Sequence, residues 1–141
     1  MKSIFNILNK KILYNGFYKL HEIIYEHKKH DGSWSLPIKR ELFSGAHVSA
    51  ILPYDPLTKK IVLIEQFRPG IIKTNNDPII KEIVAGIIDE GETPEEAAKR
   101  ECKEEIDCDI HKLTKICAYY PAPASSESYY HLFFGEVGSF E

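Results

Sequence analysis

A trio of glutamates on one short segment constrains this chain more than any other feature. Glu101, Glu104 and Glu105 lie at spacings of three and four, which on a helix of about 3.6 residues per turn puts them on one face. Like charges so placed weaken an isolated helix by about 0.2–0.5 kcal/mol per pair. A chain that keeps them needs something cationic between them. Hard carboxylate oxygens suit Mg²⁺ or Mn²⁺.

The segment reads as a helix with a defined start. Thr93 is a natural N-cap, Pro94 fits the first helical position, and Glu96 completes a capping box with Thr93. Glu95 and Glu96 suit the positive end of the helix dipole. Ala97 shares the sector of the three glutamates, while Ala98, Cys102 and Ile106 form an apolar strip for the core. Arg100 lies beside Glu104 and can restrain it by an ion pair. Upstream, the apolar run Ile79 to Ala85 predicts a strand, with Gly86 as a tight turn into the helix.

Taken together, the pattern is Gly86, five residues, Glu92, seven residues, Arg100-Glu101, two residues, Glu104-Glu105. It resembles the Nudix box, the signature of hydrolases that cut nucleoside diphosphates linked to another moiety. Asp107 stands where that family usually has glycine, and Cys102 and Cys108 stand where it prefers larger aliphatics. These departures touch packing and the helix exit, not the glutamates. The plain alternative is a solvated acidic helix.

Composition bounds the rest. The 141 residues suffice for one compact domain with a small appendage, and 43% hydrophobic content supplies a core. The net charge is −3, and the lysine pairs Lys10-Lys11, Lys28-Lys29 and Lys59-Lys60 are scattered. No basic stripe for nucleic acid results. Cys102, Cys108 and Cys117 form no CxxC and are odd in number, as expected of free thiols in a reducing cytoplasm. No apolar run is long enough for a signal peptide or a membrane span.

Along the chain, Ile12 to Phe43 reads as a small β hairpin turning at His30-Asp31-Gly32-Ser33. A hairpin of this kind buries little by itself and leans on the main domain or another subunit. His47 to Leu52 and Ile61 to Gln66 read as a second hairpin around Pro53-Tyr54-Asp55-Pro56. A polar loop, Lys73 to Pro78, precedes the Ile79 strand. Ile110 to Tyr120 and Tyr129 to Val137 are further strands, separated by the loop Pro121 to Glu127. The expectation is an α/β fold, a mixed sheet carrying a helix. The resemblance implies a Nudix-like α/β/α sandwich preceded by the hairpin, divided as a β region 1–45, forming a dimer, and a catalytic domain 46–141. It also implies a further loop, strand and second helix after the last strand. The expectation is therefore a domain lacking the usual C-terminal helix, with weak activity.

Outside the box the chain is similar to the ADP-ribose pyrophosphatase branch. The similarity runs through Leu13 to Tyr18, Lys39 to Phe43, Val62 to Arg68, Glu82 to Gly86, and a proline-bearing loop ending in Ser126-Glu127. It implies a homodimer and Mg²⁺-dependent hydrolysis of ADP-ribose to AMP and ribose 5-phosphate. The metal ligands it implies are the Ala85 carbonyl, Glu101, Glu104 and Glu105. Arg100 orients these glutamates, and Glu101 or Glu104 can serve as general base. Substrate-binding residues carried over are Phe17 and Tyr18 for the base, Arg68 stacking opposite, and Arg40 reaching across the dimer. Ile87, Pro123 and Glu127 are carried over too, Glu127 accepting ribose hydroxyls. The plain readings beside these are hairpin packing for Phe17 and Tyr18, a surface ion pair for Arg68, and a polar strand position for Arg40. The rival functions are hydrolysis of another nucleoside diphosphate sugar such as GDP-mannose, and a Nudix domain that binds ADP-ribose without cleaving it. A decayed, unstable protein is a third reading.

Overall fold

The structure is a computed structural model and describes residues 3–74 and 76–138. Asn75 of the polar loop and the last three residues, 139–141, lie outside the described residues. The chain divides into two compact units, Met1–Ala46 with Tyr120–Ser128, and His47–Tyr119 with Tyr129–Glu141.

The first unit is built on three antiparallel strands in the order β1 (Phe5–Asn15), β2 (Lys19–His27) and β3 (Ile38–Phe43). The expected hairpin is there, with one strand more than the sequence reading gave. β1 begins at Phe5 and pairs along almost its whole length with β2, through two register irregularities. Asn6, Asn9 and the lysine pair break its alternation, and those irregularities shift its side chains between faces, so period-two reading missed it. The second connection of the unit is the 120–128 loop, tied to β3 by Phe43 N–H to the Ser125 carbonyl and Glu127 N–H to the Phe43 carbonyl. Glu22 is buried in this sheet and ion-paired to Lys39 and to Lys11, the latter at 3.0 Å.

The second unit centres on β4 (His47–Asp55). It runs parallel to β10 (Tyr129–Val137) on one side and antiparallel to β8 (Val84–Ile87) on the other. β10 continues antiparallel to β9 (Ile110–Tyr119). β5 (Lys60–Ile61) closes a turn at the end of β4, anchored by buried Asp55, which accepts from the Leu57 N–H at 2.8 Å and the Thr58 hydroxyl at 2.7 Å. The expected second hairpin is thus cut short. The downstream strand β6 (Ile64–Phe67) pairs instead with β7 (Ile79–Glu82) in a separate ladder. The predicted Ile79 strand also divides, into β7 and β8, at Ile83. Both corrections are decided by partner strands, which local propensity does not register.

The helix α1 spans Pro94–Ile106, with Thr93 as N-cap and the full capping box to Glu96. Asp107 ends it in the left-handed region at φ 50°, a conformation short polar residues tolerate better than most. Its apolar strip is where the spacing put it: Ala98 and Cys102 are fully buried against Ile51, Val84, Phe133 and Val137. Burial pushes the Cys102 thiol up to about 11, so it behaves as a small apolar core residue. Ser49 on β4 donates to the Pro94 carbonyl at 2.7 Å and fastens the helix start to the sheet. Along β10, Phe133, Gly135 and Val137 are buried while Leu132, Phe134 and Glu136 are half-buried, the alternation expected of a sheet packed on a helix.

Two measurements test this account. Phe133→Ala removes the largest fully buried side chain of the core and is expected to cost about 3–5 kcal/mol in urea unfolding. Lys39, then Lys11, holds the Glu22 carboxyl below the usual range. Such a group contributes stability above its unfolded value of about 4.3 and loses it as pH falls through the lower folded value. Glu22→Gln is expected to melt below the parent protein at neutral pH, with the gap closing below about pH 4.

Candidate active site

The guanidinium of Arg100 holds the site in the second unit together. Its Nε and Nη2 grip the two oxygens of Glu92 at 2.9 and 3.0 Å. Nη1 donates to Glu101 at 2.6 Å and to Glu104 at 3.2 Å, and Nη2 also reaches the Ile87 carbonyl at 2.9 Å. A planar fork of donors suits such divergent carboxylates. Glu92 in turn accepts from the Asp89 N–H at 3.1 Å, closing the loop before the helix. The Arg100 bond and the Asp89 N–H hold the Glu92 carboxyl below the usual range. Arg100 does more than the ion pair to Glu104 that the spacing suggested: it links the strand, the loop and the helix.

The glutamate face is only partly solvated. Ala97 is fully buried and the Glu101 side chain is only 13% exposed. Gly86 explains the close fit. It lies within β8 with no left-handed turn, which falls instead at Gly91 with φ 84°. The sequence reading of Gly86 as the turn is therefore corrected. A Cβ at position 86 would collide with the Glu101 carboxylate, so glycine is needed for contact between strand and helix.

Glu105 sits in a different environment. Its Oε1 accepts from the Gln66 side-chain amide at 3.1 Å. Its Oε2 is buried and no hydrogen bond of ordinary geometry reaches it, although the Ala85 N–H lies close enough to the carboxylate to favour its charged form. Burial pushes its carboxyl above the usual range; the Gln66 amide, then the Ala85 N–H, oppose this, and the Glu101 charge adds to it. Glu104 is 58% exposed and turned towards Arg100. Among the described residues, no group of three or more His, Cys, Asp or Glu side chains is gathered as a ready-made metal cage. Mg²⁺ does not require one, since it is commonly held by one or two carboxylates together with water and substrate phosphates. Glu101, pressed on Gly86, and Glu105, with an orphaned buried oxygen, are the two carboxylates that fit. The Ala85 carbonyl is a hard oxygen of the kind such an ion takes, one residue from Gly86 on β8.

Arg68, just beyond β6, is tied to Glu82 at 2.6 Å. That is the surface ion pair of the plain reading. Ile87 ends β8 and is exposed. The other expected binding residues belong to the first unit. Phe17 is 86% exposed and meets Tyr18 edge to face at 4.8 Å, so neither packs a hairpin core. Arg40 and Pro123 line a cavity of about 520 Å³ with Phe5, Tyr25 and Leu42. Glu127 pairs with Lys10 at 3.2 Å and lies 4.0 Å from His21. Gln66 and Glu82 had no role in the sequence reading. Gln66 carried a faint signal, standing two residues before Arg68 and so on the same strand face.

A NUDIX domain model matches residues 44–140. The chain belongs to the Nudix family. It is 32% identical over 136 residues to the ADP-ribose pyrophosphatase of Escherichia coli K12, covering 96% of this chain and 65% of that protein. It is 35% identical over 136 residues to the ADP-ribose pyrophosphatase of Haemophilus influenzae, covering 94% and 63%. The GDP-mannose pyrophosphatase of Cronobacter sakazakii is 30% identical over 131 residues, covering 92% and 68%. The chain thus spans slightly less than two thirds of the ADP-ribose pyrophosphatases it matches. A crystal structure of an ADP compounds hydrolase superposes with a TM-score of 0.76 at 22% identity, over 100% of this chain and 74% of that one. That likeness speaks for the Nudix fold. Gly86→Ala is expected to displace the Glu101 carboxylate and weaken Mg²⁺ binding about 10–100-fold in calorimetry, with far-UV circular dichroism unchanged.

Proposed function

We propose that this Nudix protein is a Mg²⁺-dependent pyrophosphohydrolase that cuts ADP-ribose to AMP and ribose 5-phosphate in the cytoplasm. The observation that carries the reading is the split treatment of the box glutamates. Arg100 compensates Glu101 and Glu104, while Glu105 keeps a buried oxygen that no hydrogen bond of ordinary geometry reaches. A cation is the partner that chemistry suggests. The names of the relatives favour ADP-ribose, and those of the more distant ones keep GDP-mannose as the second substrate. Free Cys102, Cys108 and Cys117 suit a reducing compartment. No helix among the described residues is long and apolar enough to cross a membrane.

Glu101, Glu105 and the Ala85 carbonyl would hold the ion, with Glu104 beside them. When bound, the ion neutralises pyrophosphate charge and acidifies water. Glu104 is the better placed proton acceptor, because it is exposed and oriented by Arg100, whereas Glu101 is packed on Gly86. In the reaction, a water oxygen bonds to one phosphorus, the bridging P–O bond breaks, and the water proton passes to that carboxylate. Arg68 is released from Glu82 to meet the substrate, and Ile87 flanks it. Phe17 and Tyr18 offer aromatic faces to the base, and Arg40, Pro123 and Glu127 contribute polar and shape contacts, supplied within a homodimer. The support for a dimer is β1, a sheet-edge strand exposed along its length that carries Phe5, Ile7, Leu8, Ile12 and Leu13. Such an edge is a template for pairing.

The test is AMP release from ADP-ribose with Mg²⁺, beside GDP-mannose, for the parent and Glu105→Gln. Hydrolysis of ADP-ribose that falls about 100-fold or more in the variant is the expected result. Faster cleavage of GDP-mannose would change the substrate. Calorimetric binding of ADP-ribose without turnover would replace the enzyme by a binding module.

A further inference from the structure

We propose that Gln66 is a positioning residue for the divalent cation, acting through Glu105. The inference rests on the metal site of the preceding section. Gln66 is half-buried on β6, and its Nε2 donates to Glu105 Oε1 at 3.1 Å across 39 positions of sequence. Strand alternation puts it on the side of Ile64, which packs against the core beneath α1. The amide nitrogen, not the oxygen, must face Glu105, because two acceptors would repel.

The chemistry of this donor matters. Glu101 and Glu104 are oriented by a full positive charge, that of Arg100. Glu105 is oriented by a neutral amide, and the nearby cation Arg68 is engaged by Glu82. A lysine or arginine at position 66 would orient the carboxylate equally well, but its charge would repel an incoming cation. A neutral donor fixes one oxygen, limits rotation of the carboxylate, and leaves the negative charge on the group available. The buried Oε2, which no hydrogen bond of ordinary geometry reaches, is the oxygen left to serve as ligand. Outer hydrogen-bond partners of metal ligands act in this way, and losing one costs about 10–100-fold in metal affinity.

The experiment is Mn²⁺ titration followed by electron paramagnetic resonance, on the parent protein, Gln66→Met and Glu105→Gln. Methionine keeps the length of glutamine and removes the donor. The expected result is Mn²⁺ affinity weakened about 10–100-fold in Gln66→Met, an unchanged melting temperature without metal, and recovery of kcat at saturating Mn²⁺. If Gln66→Met lowers the melting temperature, Gln66→Leu serves in its place. Parent-like affinity in the donor-free variant overturns the role of Gln66 and leaves the metal site standing. A reduced kcat that saturating Mn²⁺ does not restore also overturns it. A parent protein that binds no Mn²⁺ overturns the metal site itself.

Discussion

One guanidinium carries much of the architecture of the second unit. Arg100 meets Glu92 in the loop, Glu101 and Glu104 on its own helix, and the Ile87 carbonyl at the end of β8. Without it, three carboxylates would crowd one helix face with little to offset their repulsion. With it, the negative charge of Glu101 and Glu104 is partly compensated and their directions are set. The helix can then press Glu101 on a strand instead of turning it to water. The contact requires glycine at position 86, since any larger residue would occupy the space of the Glu101 carboxylate.

The core and the site are two faces of the same helix. Ala98 and Cys102 bury against Ile51, Val84 and Phe133, and this packing fixes the rotation of α1 about its axis. Ala97, also buried, leaves no room for that rotation to drift. Once the rotation is set, the 3.6-residue period delivers Glu101 and Glu105 to β8 and β6. Stability and chemistry are therefore coupled through helix orientation. Glu105 illustrates the cost: a carboxyl that burial disfavours in its charged form is retained in a position where a cation can reward it.

Much of this was legible in the residues. The capping box, the apolar strip, the glutamate face and the strands around Tyr129 all follow from local spacing, and the structure bears them out. The readings that shifted share a cause. β1 was hidden because its register irregularities disrupt alternation. Ile61 to Gln66 reads as one hairpin strand with β4, whereas Ile64 onward pairs with β7 across the intervening polar loop, a choice that local propensity does not register. Gly86 reads as a turn because a glycine after an apolar run usually marks one; in the structure it marks a close approach.

The sequence by itself determined the helix, its caps and which side chains share a face, because these depend on residues within a turn or two of one another. It also determined the donor chemistry, since the residue types carry it. Only the tertiary structure decided which partners those side chains meet. Gln66 reaches Glu105, Arg68 is held by Glu82, and Glu92 folds back to Arg100 because sheet pairing, core packing and the path of the loop before the helix bring separate elements together. Such contacts leave no periodic trace in the sequence. They arise where the apolar faces of separate elements must be buried at once.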